Sequence, residues 1–212
     1  MEEIESASAD GTIFVSDSEL PGYDRRSLRD RTGGDMRKPK LQPRALPNAP
    51  ASSPAEAQAQ LDFFLDKYDP EVASFARRAL AKMRKLVPGA IEMVYDNFNW
   101  LVIGFGPSER PSEAFFSLVL PPGRVSLCFL QGAGLPDPAK RLEGKGNLVR
   151  NIPLYSLGKP DQRVLDHPEV LDLINVALNR AKVSMPSSPR RKLIIRSISA
   201  NQRPRRSTKR KK

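Results

Sequence analysis

The chain has very few of the residues that build metal centres and nucleophilic active sites. Its 212 residues include one cysteine, Cys128, and one histidine, His167. One thiol cannot form an intramolecular disulfide, and the pair cannot supply the three or four nitrogen and sulfur ligands that zinc usually takes. His167 also accompanies no nucleophile-elbow motif of the kind that hydrolases use. We therefore predict no catalytic residues, a buried packing role for Cys128 and a helix-start role for His167.

Long apolar runs are also missing. No stretch approaches the roughly 20 apolar residues that a membrane-spanning helix needs. The chain begins with Glu2, Glu3 and Glu5, whereas a secretory signal begins with basic residues followed by an apolar run. We expect a cytoplasmic protein without membrane contact.

The positive charge is concentrated at one end of the chain. Residues 1–57 carry 8 basic and 10 acidic side chains, residues 58–185 carry 16 and 14, and residues 186–212 carry 11 and none. A cation-rich tail binds nucleic acid by releasing counterions from phosphates, and without aromatic side chains it has little sequence preference. The alternative is a solubilising tail without a dedicated partner. The candidate DNA- or RNA-binding residues are Arg190, Arg191, Lys192, Arg203, Arg205, Arg206, Lys209, Arg210, Lys211 and Lys212.

The composition divides the chain into one folded domain and two flanks. Residues 1–52 have little apolar periodicity and are expected to form a disordered arm, although the isolated triplet Ile13, Phe14 and Val15 could serve as a short docking motif. Residues 53–185 are expected to fold alone, and the basic tail 186–212 is expected to be disordered. Leu193, Ile194, Ile195 and Ile198 interrupt the tail's charge and could become ordered on contact with a partner. Deleting the flanks should then leave the thermal midpoint almost unchanged.

Capping signals mark the starts of the predicted helices. Ser53 before Pro54, with Glu56 two residues further on, predicts an N-terminus, and Asp69 before Pro70 predicts a second one with Asp69 as its cap. The second helix carries an apolar stripe on one side and basic residues on the other. A third helix is predicted to begin around residues 166–169 and to end near residue 184.

Five segments with alternating or continuous apolar residues predict strands at 91–95, 100–105, 115–120, 125–130 and 148–154. Pro122 followed by Gly123 suits the centre of a type II turn between the third and fourth strands, because the third turn position needs a positive φ. We predict an α+β fold: a two-layer sandwich of one antiparallel sheet covered by N- and C-terminal helices.

The segment 125–152 carries the most specific pattern. An apolar strand is followed by Gly132-Ala133-Gly134-Leu135-Pro136-Asp137-Pro138, then Leu142-Glu143-Gly144-Lys145-Gly146, then Arg150-Asn151-Ile152. This order resembles the signature of the YdhG-like family, small α+β domains catalogued largely as domains of unknown function. The resemblance covers roughly residues 58–183. It implies a fold similar to that of frataxin and, because some members are described as iron chaperones, an iron-delivery role.

The iron role has little support in the residues, since Asp62 and Asp66 are the only acidic pair one turn apart on the first helix. The stronger candidate site is an anion-binding loop formed by Gly144, Lys145, Gly146 and Arg150, with glycines for close backbone approach and two cations. The alternative is a structural loop in which Arg150 contacts a carboxylate such as Glu143. We expect a non-enzymatic binding or adaptor module whose basic tail associates with nucleic acid; the alternative is a frataxin-like iron-delivery protein.

Overall fold

The computed structural model describes residues 51, 53–156, 163–181 and 191–207, and the predicted N-terminal arm lies outside them. Within this part the fold is α+β, with three helices and one six-stranded mixed sheet. The elements are α1 (Pro54–Asp66), α2 (Pro70–Leu86), β1 (Ile91–Asp96), β2 (Leu101–Gly106), β3 (Phe116–Leu120), β4 (Arg124–Phe129), β5 (Arg150–Ser156), α3 (Pro168–Arg180) and β6 (Lys192–Ile198).

The strand order is β5-β4-β3-β2-β1-β6. Strands β1 to β5 pair with their sheet neighbours in antiparallel fashion, and β6 runs parallel to β1. All three helices bury their apolar side chains against the same face of the sheet, in one continuous core. None of the described helices has the length and apolar character needed to cross a membrane.

Two of the local predictions are confirmed and one is wrong. Ser53 is the N-cap of α1, and its Oγ accepts a hydrogen bond from the Glu56 N–H at 3.2 Å. Gly123 has a φ of 74° in the turn between β3 and β4, as the type II assignment requires. Asp69 precedes α2 but its side chain does not cap the helix; its Oδ2 accepts the backbone N–H of Ser207 at 2.9 Å instead. Ser207, in the segment predicted to be a disordered tail, therefore binds the Asp69 carboxylate.

Tyr68, in the short link between α1 and α2, joins the helices to the centre of the sheet. Its hydroxyl donates to the carbonyl oxygen of Leu120 at 2.7 Å and accepts the N–H of Leu101 at 2.9 Å, so it bridges β2 and β3. The side chain is buried, which raises the pKa of the phenol because a phenolate would lose its hydration.

The prediction that the tail is disordered is wrong for residues 191–207. Lys192–Ile198 forms β6, the sixth strand, which the sequence analysis did not assign, and its parallel pairing makes the sheet mixed instead of antiparallel. Leu193 and Ile195 lie opposite Glu92 and Val94 of β1, and Ile195 is buried in the core. The strand forms because its apolar residues pair with the β1 edge of the sheet and pack near α1. Local composition gives no information about such long-range contacts.

A buried ionic cluster attaches the segment after β6 to β1. The carboxylate of Asp96 is fully buried and contacts Lys67 Nζ at 2.6 Å, Gln202 Nε2 at 2.7 Å and Arg205 Nη2 at 2.9 Å. Arg205 is itself buried. A second buried acid on β1, Glu92, accepts two hydrogen bonds of 2.7 Å from Arg84. Residues 199–207 are thus held by charge pairing inside the domain.

Candidate functional site

The loop between β4 and β5 is ordered by its own side chains. Both carboxylate oxygens of Asp137 accept backbone N–H groups, from Arg141 at 2.9 Å and from Leu142 at 2.7 Å. Glu143 and Asn151 exchange backbone hydrogen bonds of 2.8 and 2.9 Å, which closes the loop beside β5. The conspicuous segment of the sequence therefore folds as a compact flap at the β5 edge of the sheet.

Gly132 has a packing role in this flap. A Cβ atom at this position would lie 2.7 Å from Arg150 Cβ and 2.9 Å from Phe129 Cβ, closer than side-chain carbons pack. Gly144 has a φ of 115°, a value that favours glycine. Both glycines are thus explained by the backbone path of the loop.

The anion site of Gly144, Lys145, Gly146 and Arg150 stays a prediction. Arg150 Nη1 donates to the carbonyl oxygen of Val149 at 2.8 Å and to that of Gly146. These contacts fit the structural alternative, with backbone carbonyls in place of the expected Glu143 carboxylate. Lys145 is exposed.

A pocket of about 400 Å³ lies between this flap and the C-terminal end of α3. We call it the α3 pocket. Its apolar lining is Ala114, Phe115, Phe129, Ala133, Leu135, Leu148, Ala177 and Ala181. Its polar lining is Ser112, Glu113, Gln131, Asn147 and Arg180. Five lining residues belong to the flap, and none of the four residues predicted to bind an anion is among the described lining residues.

Two charged groups of opposite sign line the α3 pocket. Glu113 accepts hydrogen bonds from the hydroxyl of Ser108 and, at 3.4 Å, from Arg110 Nη1. Arg180, in the last turn of α3, donates through Nη1 to the carbonyl oxygen of Gly134 at 2.7 Å. A guanidinium has five N–H donors, and this bond uses one of them. Arg180 can therefore hold the flap and bind an anionic group at the same time.

Sequence reasoning missed the polar residues of the α3 pocket, because they come from four separate stretches of the chain. Gln131 and Asn147 stand at the two ends of the glycine-rich loop. This position beside the loop was the one sequence signal that could have identified them as site residues. Ser112, Glu113 and Arg180 carry no motif and meet the flap only in the tertiary structure.

The described cations of the predicted nucleic-acid tail mostly contact protein groups. Lys192 donates to Glu109 and lowers the pKa of that carboxyl below its usual value. Arg206 is exposed. Arg191 donates to Gln58 and forms an ion pair with Glu92, and Arg203 lies over the aromatic ring of Phe98. Arg205 donates to Asp96. Arg190, Lys209, Arg210, Lys211 and Lys212 lie outside the described residues.

The candidate iron residues are paired with a cation. Arg77 Nη2 lies 2.6 Å from Asp66 Oδ1, and Arg77 Nε lies 3.8 Å from Asp62 Oδ1. In the described part of the chain, no group of three or more histidine, cysteine, aspartate or glutamate side chains could hold a metal ion. A guanidinium between two carboxylates repels a metal cation, so this arrangement does not support iron binding.

The remaining two candidates lie where the sequence predicted them. Cys128 is fully buried in β4. His167 is the N-cap residue of α3, and its Nδ1 lies 3.0 Å from Arg141 Nη2. Arg141 also donates to Glu169 Oε1, and backbone and Arg141 hydrogen bonds lower the pKa of the Glu169 carboxyl. These polar contacts attach the flap to the start of α3.

Comparison of the chain with protein-family models, with curated proteins and with solved structures gives no match.

Proposed function

We propose that this chain is a non-enzymatic binding module with a two-layer α+β sandwich of the YdhG-like type, whose ligand site is the α3 pocket. The observation that carries the proposal is the pocket's lining, in which the apolar residues Phe115, Phe129 and Leu135 occur together with the charged residues Arg180 and Glu113. Binding sites are commonly apolar clefts of about 300–1,000 Å³ with a few convergent polar groups. At about 400 Å³ the pocket suits a small molecule.

The polar groups point to a ligand class. Glu113 already accepts from Ser108 and Arg110, whereas Arg180 keeps most of its donors. A guanidinium group can bind a carboxylate in bidentate geometry. The apolar lining residues suit a ring or a branched aliphatic chain. A carboxylic acid with one aromatic or branched aliphatic group fits both features. None of the described lining residues is a cysteine or a histidine, which favours binding over nucleophilic catalysis.

A ligand screen tests the α3 pocket. We expect some members of a panel of aryl and branched-chain carboxylic acids to raise the thermal midpoint of the full chain, because a ligand that binds the folded state stabilises it. Titration calorimetry should show affinity at least tenfold weaker in Arg180→Ala, equivalent to about 1.4 kcal/mol. Ala177→Phe, which fills the pocket, should remove binding. Lys85→Ala is the matched control, because Lys85 is an exposed cation of α2 outside the pocket lining.

Binding that survives Ala177→Phe in a folded protein would place the ligand elsewhere. A panel without any stabilising member would contradict the proposed ligand class.

We keep nucleic-acid association through the C-terminus in a narrower form. Contacts within the domain involve Arg191, Lys192, Arg203 and Arg205, so the exposed Arg206 and the cluster Lys209–Lys212 are the cations that this proposal uses. The supporting observation is that these five cations follow Arg205, the last buried residue of the described chain, without an intervening acid. Such a cluster binds phosphates with little sequence preference.

Salt titration tests this second function. If all five cations contact phosphates, the affinity of the full chain for duplex DNA should fall with a log–log slope of about −4.5. Replacing Lys209, Arg210, Lys211 and Lys212 by glutamine should reduce the slope to about −1. The control replaces two exposed cations of the body, Lys85 and Lys140, and should leave the slope unchanged. An unchanged slope in the tail variant would refute the assignment.

A further inference from the structure

The face of the sheet opposite the helices, here called the second face, is apolar and buried. Its buried residues Met93, Tyr95, Trp100, Val102, Val119 and Cys128 pack with Ala114 as a cluster separate from the helix-covered core. In the 212-residue chain Val119 and Cys128 have 0% exposure and Val102 has 1%. A sheet face with this composition and burial needs a covering layer.

The described segments outside the sheet cover this face only in part. Ala114, which follows the short 3-10 turn Pro111–Glu113, belongs to the cluster and lies beside Gly106, at the end of the sheet where β1 begins. The apolar residues of α1, α2 and α3 belong to the other core. The partly buried residues packed on the second face, Ile91, Leu130 and Val149, all lie at the end of the sheet where β1 begins. Tyr95, Val102 and Val119 form a row across β1, β2 and β3 that is nearer to the other end of the sheet. Their burial is unexplained by any described helix.

We propose that the N-terminal segment around Ile13, Phe14 and Val15 covers the second face as an intramolecular docking segment. Residues 1–50 contain one run of three consecutive large apolar residues, and the other large apolar side chains of this stretch stand singly. The gaps between described elements, 157–162 and 182–190, are short and must each join one element to the next. From residue 15 to Ala51 the chain has 36 residues, which can span about 120 Å when extended. A six-stranded sheet is about 24 Å wide, so the segment can reach the face.

Charge and shape agree with this occupant. The triplet is flanked by Asp10, Asp17 and Glu19, and the first basic residue of the chain follows at position 25. Arg196 of β6 forms a hydrogen bond with Tyr95, which places a cation at the edge of the second face. Gly104 lies in the middle of β2 on this face, and without a side chain it leaves a shallow depression beside Met93.

Cys128 provides a direct measurement, because the only thiol of the chain lies on the second face. We expect the full chain to react slowly with the thiol reagent DTNB under native conditions. A full-length variant with Ile13, Phe14 and Val15 replaced by serine should react at least tenfold faster. The matched control replaces Leu28, Met36 and Leu41 by serine and should react at the rate of the unchanged chain. A peptide with the sequence of residues 8–20, added to the triplet variant, should restore protection.

Equal rates in the triplet variant and the unchanged chain would overturn the proposal, and so would an equal acceleration by the control variant. Protection that increases with protein concentration would also overturn it, because a second copy of the chain would then be the cover. Urea denaturation of both variants shows whether each remains folded. If the triplet variant is unfolded, the single variant Phe14→Ser replaces it in the same comparison, with the same expected direction.

Discussion

Ending the chain at residue 190 is expected to remove most of the stability of the domain. The deletion takes away β6, whose Ile195 is buried, and Arg205, which pairs with the buried Asp96. Loss of one partner of a buried ion pair costs about 3–5 kcal/mol, and loss of a buried isoleucine removes about 1.5–3 kcal/mol of apolar burial. Small domains are stable by about 5–15 kcal/mol in total. Urea denaturation followed by circular dichroism should show a large fall in the midpoint.

The matched control is a chain that ends at Ser207. It loses only residues 208–212, after the last described anchor, in which Ser207 N–H donates to Asp69. Its unfolding free energy should lie within about 0.5 kcal/mol of that of the full chain. This pair of results would replace the expectation that residues 186–212 can be removed without effect. An unchanged midpoint in the chain ending at residue 190 would contradict the assignment of β6 to the core.

Asp96→Ala is expected to have the second-largest effect. Asp96 is fully buried and accepts from Lys67, Gln202 and Arg205, so its removal leaves the buried guanidinium without its charged partner. We expect a loss of about 3–5 kcal/mol in the free energy of unfolding, measured by urea titration. The matched control is Asp62→Ala. Asp62 is about half exposed and lies 3.8 Å from its partner Arg77, so its loss should cost less than about 1 kcal/mol.

A double variant separates the pair itself from the cost of an unpaired charge. Asp96→Leu combined with Arg205→Met removes both charges and keeps much of the side-chain volume. It should be more stable than Asp96→Leu alone, because apolar replacement of a whole buried pair is often neutral whereas a stranded charge is costly. Additive losses from the two single variants would show that Asp96 and Arg205 do not act as a pair.

Features that depend on residues close together in the sequence could be predicted, whereas features that depend on distant residues could not. The start of α1 and the turn at Gly123 depend on neighbouring residues, through a cap hydrogen bond and a positive φ, and sequence patterns report both. The capping role of Asp69 had the same kind of signal and was wrong. Its carboxylate binds Ser207, 138 residues further along the chain. Local sequence rules identify the bonds a side chain can form with its neighbours. They do not show whether a residue far along the chain binds the same side chain instead.

The candidate site shows the same limit. The α3 pocket, the proposed ligand site, is lined by five residues of the glycine-rich segment: Gln131, Ala133, Leu135, Asn147 and Leu148. The cations chosen by motif were Lys145 and Arg150, and Arg150 spends donors on loop carbonyls. Arg180 lines the pocket because the C-terminal end of α3 lies beside the flap. No motif in the sequence indicates its hydrogen bond to the carbonyl oxygen of Gly134.

The sequence by itself determined the α+β class, the three helix starts and the positions of the first five strands along the chain, because side-chain periodicity and caps act within a few residues. Only the tertiary structure decided the fate of the basic C-terminus. A run of cations without acids predicts a solvated tail, but buried Asp96 and Glu92 on β1 lie where Arg205 and Arg191 can reach them. Charge neutralisation across more than 90 residues, together with apolar pairing of β6 on β1, turns that segment into part of the core.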